Sequence, residues 1–217
     1  MFLKNLLDLI LISQLSILLP ILSWILFVRK ASLPLYLILA SVIVGSLEEI
    51  LSYVFAYRYQ NNLIILNTFT LPTLMLLYLA YGLKADLSPP VRRVIGITGL
   101  AGFLLILYGL LTHDIHTFIV FNKVVYAFAL VLLALYHFVD KVFYSKEFDI
   151  LHQPFFIISC GLFVYYLSVF TIYLVYDMDL GPGNYEKLWS MKLVVFILYN
   201  FTLAYSFHIF KKHRNTL

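Results

Sequence analysis

The chain has 217 residues, 63% of them hydrophobic and 12% charged, and its mean hydropathy is +0.95. Soluble chains are about half apolar and about a quarter charged, so this composition excludes a soluble domain; at about 20 residues per crossing it leaves room for roughly six to eight spans and no separate catalytic or nucleic-acid-binding domain. The formal charge of +4 reports orientation in such a chain, since basic residues there mark the cytoplasmic connections, and a nucleic-acid partner has no support.

Taken in order, the apolar stretches predict an all-α fold, a polytopic seven-transmembrane-helix bundle forming one membrane domain over residues 1–217. The helices are expected near 6–28, 33–57, 63–83, 93–112, 116–139, 154–176 and 188–210. The first run ends in Trp24 to Lys30, WILFVRK, which offers no small-residue cleavage site, so it counts as a span and not as a signal peptide. Pro34 opens the second span, Ser88, Pro89 and Pro90 precede the fourth, Pro154 opens the sixth, and Gly181, Pro182 and Gly183 turn the last loop. Pro20 and Pro72 fall inside spans and are expected to kink them.

Alternate connections differ in charge. One set carries Arg29, Lys30, Lys84, Arg92, Arg93, Lys141, Lys146, Lys211, Lys212 and Arg214, the other Lys4, Arg58 and Lys187. The positive-inside rule then predicts an N-terminus outside and a C-terminus in the cytoplasm, in a multi-pass protein of the cell's inner (cytoplasmic) membrane. The loop with Asp140, Lys141, Lys146, Glu147 and Asp149 reads most simply as a solvated face.

Several polar residues lie where lipid makes them costly. Glu48 and Glu49 sit well inside the second span, and Ser41, Gly45, Glu48 and Ser52 recur at helical spacing as a small, polar seam that suits helix packing. Lys123, about seven residues into the fifth predicted helix, and Lys192, about four into the seventh, reach compatible depth from the outer side, which predicts a coupled Glu–Lys group. Tyr53, Asn67, Tyr126, Tyr165 and Asn200 fall in the same layer. Together these nine residues outline an outward-facing polar cavity for a small ligand. The competing reading is hydrogen-bonded glue between helices, worth about 0.6 kcal/mol per bond in membrane hosts.

Other chemistry lacks its residues. The seventh span has no lysine near its middle for a retinal Schiff base, and His208 and His213 are poorly spaced for zinc. His113, Asp114 and His116 read as a solvated loop, and the single cysteine, Cys160, permits no internal disulfide. No catalytic constellation, metal or cofactor is therefore expected.

Glu49 followed by Asn61, Asn62 and Asn67, then Pro154, Phe155, Phe156, Gly161, Leu162 and Tyr165, then Trp189 with Asn200, resembles the small seven-helix integral membrane proteins common in Bacteroidota, over most of the chain. That pattern favours Phe-Trp after the proline of the sixth span, where this sequence has Phe155 and Phe156. The resemblance implies a membrane location and a free-standing sensor module, in some cases beside a histidine kinase, in a group with no established activity.

The expected function is a non-enzymatic membrane sensor, receptor-like or scaffold subunit. Its partners would be the lipid bilayer, another membrane protein or a histidine kinase, and an unknown small ligand. The signal is expected to leave through an inner basic surface of Arg92, Arg93, Lys141, Lys211, Lys212 and Arg214. A small-solute transporter is the alternative, and an intramembrane enzyme ranks third.

Overall fold

The computed structural model describes residues 2–28, 30–59, 62–84, 86–115, 117, 119–144, 150, 153–175 and 182–214. Among them are the helices α1 (Phe2–Ser16), α2 (Leu18–Phe27), α3 (Leu33–Tyr59), α4 (Leu63–Gly82), α5 (Pro89–Thr112), α6 (Val120–Phe143), α7 (Pro154–Leu174) and α8 (Pro182–Arg214). Among the described residues, seven helical segments are long and apolar enough to cross a membrane: Asp8–Phe27, Leu33–Ser52, Leu63–Gly82, Pro89–Thr112, Val120–Phe143, Pro154–Leu174 and Lys187–Phe210. The protein is thus all-helical, with the segments of a multi-pass membrane protein. Outward apolar side chains such as Ile25, Leu100 and Leu111 are largely exposed, as lipid contact permits.

Prolines set several boundaries. Ser88 and Gln153 each precede a proline and adopt extended backbone, because the proline ring excludes the helical region from the residue before it; α5 and α7 then start on Pro89 and Pro154. Within spans the effects diverge. Upstream of Pro20 the first span parts at Ile17 into α1 and α2, and the Ile17 N–H bonds back to Gln14 O at 3.2 Å. Pro20 lacks the N–H that would otherwise reach the Ser16 carbonyl. Around Pro72, α4 continues without a break, as helix neighbours in a bundle permit.

The chain divides into two compact units. The first comprises Met1–Lys30 and Ser145–Leu217, where α8 packs on α7, α2 and α1. Its buried side chains include Ile158, Leu162, Leu203 and Phe207, with the Trp24 ring edge-on to Phe207 at 5.1 Å. The second unit is Ala31–Tyr144, where α4 packs on α3, α5 and α6. Half of the α6 span is buried, against 22% of the α5 span, and α6 is also the helix that buries Asn122, Lys123, His137, Asp140 and Lys141. Here polarity marks the interior face, the reverse of a soluble helix.

At one crossing α5 and α6 approach closely. A Cβ at Gly109 would overlap the side-chain amide of Asn122, so only glycine admits the asparagine at that place.

Candidate functional site

The polar layer expected from the sequence falls partly in the second unit. Lys123 is 5% exposed and lies three residues into α6. The predicted helix began at residue 116, but Thr117 N–H bonds to Asp114 O at 3.0 Å as a turn, and α6 starts only at Val120. Lys123 is therefore nearer its helix end than its sequence position implied.

The Lys123 ammonium donates to Leu66 O and, at 2.9 Å, to Thr70 Oγ1, both on α4. Glu48 of α3 faces it with Oε1 at 4.0 Å and a side chain 22% exposed. Neutral acceptors hold the cation more closely than its carboxylate does. Glu49 is half-buried, and Tyr126 lies half-buried one turn along α6 from Lys123. The Tyr53 side chain lies outside the described residues, as does His116 of the connector between α5 and α6.

Asn67 is wholly buried on α4 and donates from Nδ2 to Ile115 O at 2.9 Å and to Thr117 O at 2.8 Å. It ties down the connector between α5 and α6, which explains why that connector stays a turn. Among the described residues its Oδ1 has no hydrogen-bond partner, and neither side-chain polar atom of the buried Asn122, next to Lys123 in sequence, has one. Unpaired amide atoms away from water cost free energy of about 1–3 kcal/mol each, so polar atoms of this kind gather where a ligand or water is accommodated.

The remaining candidates belong to the first unit. Asn200 of α8 is buried and donates to Ser16 Oγ at 2.9 Å, fastening α8 to the last residue of α1. Lys192 sits over the Trp189 ring, with Nζ 4.3 Å from the centroid, and over Tyr173 at 5.9 Å. Tyr165 stacks on Tyr199 with centroids 5.2 Å apart and planes 7° from parallel. The two rings wall a cavity of about 160 Å³ between α7 and α8, with Gly161, Val164, Leu198 and Thr202 also lining it. The lining is mostly apolar, and Thr202 satisfies its own hydroxyl on Leu198 O at 2.8 Å.

Sequence reasoning missed a second polar cluster in the second unit, at the opposite end of its helices. Lys84, 8% exposed, and Lys141, 2% exposed, both bind the carboxylate of Asp86, the latter at 2.7 Å. Asp140, also buried, accepts from Ser88 N–H at 2.8 Å and from its hydroxyl at 2.5 Å. Arg92 Nη2 donates to Lys84 O at 3.1 Å. Burial pulls the Lys84 ammonium below the ordinary lysine range, although Asp86 opposes that shift. Burial alone would raise the Asp86 carboxyl, but its bonds from Lys141 and Lys84 outweigh this and hold it well below the usual carboxylate range. One turn up α6, the buried His137 ring stands edge-on to Tyr81 at 5.3 Å.

This cluster corrects the expected basic surface. Arg92 and Arg93 are exposed, but Lys141 points inward, because Asp86, 55 positions earlier, draws its ammonium into an ion pair. The side chains of Lys211, Lys212 and Arg214 lie outside the described residues. The available signal was Asp86 itself, an acidic residue just beyond a span in an otherwise basic connection.

No family model, no curated protein and no solved structure matches this chain.

Proposed function

We propose that the protein is a non-enzymatic sensor, receptor-like or scaffold subunit of the cytoplasmic membrane, with its N-terminus outside, its C-terminus in the cytoplasm, and a ligand site around Lys123 facing the outer side. The residues retained for that site are Glu48, Glu49, Asn67, Lys123 and Tyr126. The observation that carries the reading is the incomplete neutralisation of Lys123: a cation 5% exposed, with a carboxylate at 4.0 Å and neutral acceptors closer. A charge within a span is costly and is retained where it has work to do. The unpartnered atoms of Asn67 and Asn122 supply two acceptor oxygens and one donor nitrogen for a small ligand at this end of the unit. A role in signalling would be exercised through another membrane protein or a histidine kinase.

Orientation is tested by replacing Cys160, placing single cysteines at Asn184 and Thr216, and labelling intact cells with an impermeant maleimide. Labelling at 184 with protection at 216 is expected; the reverse pattern would turn the site to the cytoplasm. Function is tested by native purification with mild crosslinking, then mass spectrometry of proteins and small molecules. A membrane subunit or kinase is expected, together with a small molecule that Lys123→Met loses. Substrate-dependent uptake by the isolated protein in liposomes, abolished by Glu49→Gln, would overturn the sensor reading in favour of transport.

A further inference from the structure

The cluster around Asp86 lies at the edge of the membrane spans. Lys84 is two residues beyond Gly82, the end of one span, Arg92 is three residues beyond Pro89, the start of the next, and Lys141 is two residues before Phe143, the end of a third. Leu83, Val94 and Phe143 around it are exposed and apolar, as expected of side chains that meet lipid. The cationic heads therefore sit at the depth of lipid headgroups.

The charges there are unequal. Lys84 and Lys141 share one carboxylate, Asp86, and among the described residues of this end Arg92 and the exposed Arg93 add two cations and Asp140 a second carboxylate. Asp140 is engaged by the N–H and hydroxyl of Ser88. The carboxylate bridging the two buried lysines is Asp86, whose side chain is 48% exposed on the short connector between α4 and α5. Two buried ammonium groups thus converge on an anion that reaches them from the protein surface. Arg92 is bound to the same connector, its Nη2 donating to Lys84 O at 3.1 Å and Leu87 O at 3.4 Å, and Arg93 follows it in sequence with an exposed side chain; a guanidinium is the side chain best matched to phosphate oxygens.

We infer that this end of the second unit is a phosphate site for the headgroup of an anionic phospholipid, in which Lys84 and Lys141 are the buried donors, Arg92 and Arg93 the outer ones, and Asp86 an internal carboxylate that competes with the headgroup. Basic recesses between spans are a recurrent setting for such headgroups. The inference does not depend on the ligand site at Lys123.

The full chain is compared in nanodiscs of phosphatidylcholine with and without phosphatidylglycerol, and in neutral detergent with inorganic phosphate. Native mass spectrometry is expected to show phosphatidylglycerol retained over phosphatidylcholine, with retention falling about tenfold in the Arg92→Gln, Arg93→Gln double variant. Asp86→Asn removes the competitor, so its lost thermal stability is expected to return in phosphatidylglycerol and not in phosphatidylcholine. Recovery with millimolar inorganic phosphate and no lipid preference would keep the phosphate site and assign it to a soluble anion. Equal behaviour in both lipids with no phosphate effect would overturn the inference. So would phosphatidylglycerol retention that the double arginine variant leaves unchanged, a result that remains informative if Asp86→Asn fails to fold.

Discussion

The two ends of the second unit bury lysines in opposite ways. At one, Lys84 and Lys141 share the Asp86 carboxylate in direct ion pairs; at the other, Lys123 rests on a carbonyl and a hydroxyl, with Glu48 at 4.0 Å. The first arrangement sets two ammonium groups on one carboxylate and fastens the α4–α5 connector to α6. The second holds one ammonium on neutral acceptors with a carboxylate farther off, at the end of the unit where Asn67 and Asn122 carry unpartnered amide atoms. Burial of a lysine is common to both, so burial alone does not distinguish a fastening from a site; the chemistry of the nearest acceptors does.

The sharpest way to break this contrast is Lys141→Met. Removing one member of a buried, directly bonded pair costs about 3–5 kcal/mol where it strands the other charge; here Lys84 still binds the half-exposed Asp86, so the expected loss is about 2–3 kcal/mol, the scale of a charged hydrogen bond. Unfolding in detergent measures it, and a variant as stable as the parent would mean that this end is no fastening. Next in size is Gly109→Ala, whose added methyl collides with Asn122 and should destabilise by about 1–3 kcal/mol. Combining it with Asn122→Ala should recover part of that loss, which a double-mutant cycle would read as coupling between α5 and α6.

Smaller effects are expected at Lys123. Because Glu48 stands off at 4.0 Å and is partly exposed, Glu48→Gln should cost under about 1 kcal/mol, whereas Lys123→Met, which strips two hydrogen bonds, should cost about 1–2 kcal/mol. Equal losses at the two positions would show a tight pair and erase the contrast. The smallest effect is a pH dependence of the fastening. The folded-state pKa of Asp86 is lowered, so its contribution is present above the ordinary value of 3.8 and is lost as pH falls below it toward the folded-state value. Lys84 is lowered too, so the unfolded chain binds its proton more readily and stability rises as pH climbs toward 10.5. Asp86→Asn should flatten the acid limb of a stability–pH curve measured in detergent.

The spans were legible because an apolar run of about 20 residues has few alternatives to crossing a membrane. Which face of each helix turns inward was harder to read, since lipid and core are both apolar and only scattered polar residues distinguish them. Glu48 and Lys123 stood out as charges within spans, and the structure brings them face to face. Lys141 did not stand out, because at a span end a lysine has the same signature whether it marks orientation or reaches a carboxylate, and Asp86 lies far away in sequence. Asn122 was hidden beside Lys123; its signature is the glycine opposite it, which only the pairing of α5 with α6 reveals. Asn200 entered as part of a polar layer, and its amide bonds Ser16, a contact set by how α8 meets α1.

The tether from Asn67 to Ile115 and Thr117 bears on how this chain tolerates changes of length. Surface connectors ordinarily absorb insertions, because their backbone polar groups can turn to water instead. Here two carbonyls of a connector are bound by an amide wholly inside the unit, one residue along α4 from the carbonyl that holds Lys123. An added residue between Asp114 and Ile119 would pull those carbonyls from Asn67 and leave its amide unpaired in the interior. A reporter or epitope spliced there would disturb the surroundings of the buried lysine, which makes this turn a poor place for a tag and a direct route for engineering the site from outside it.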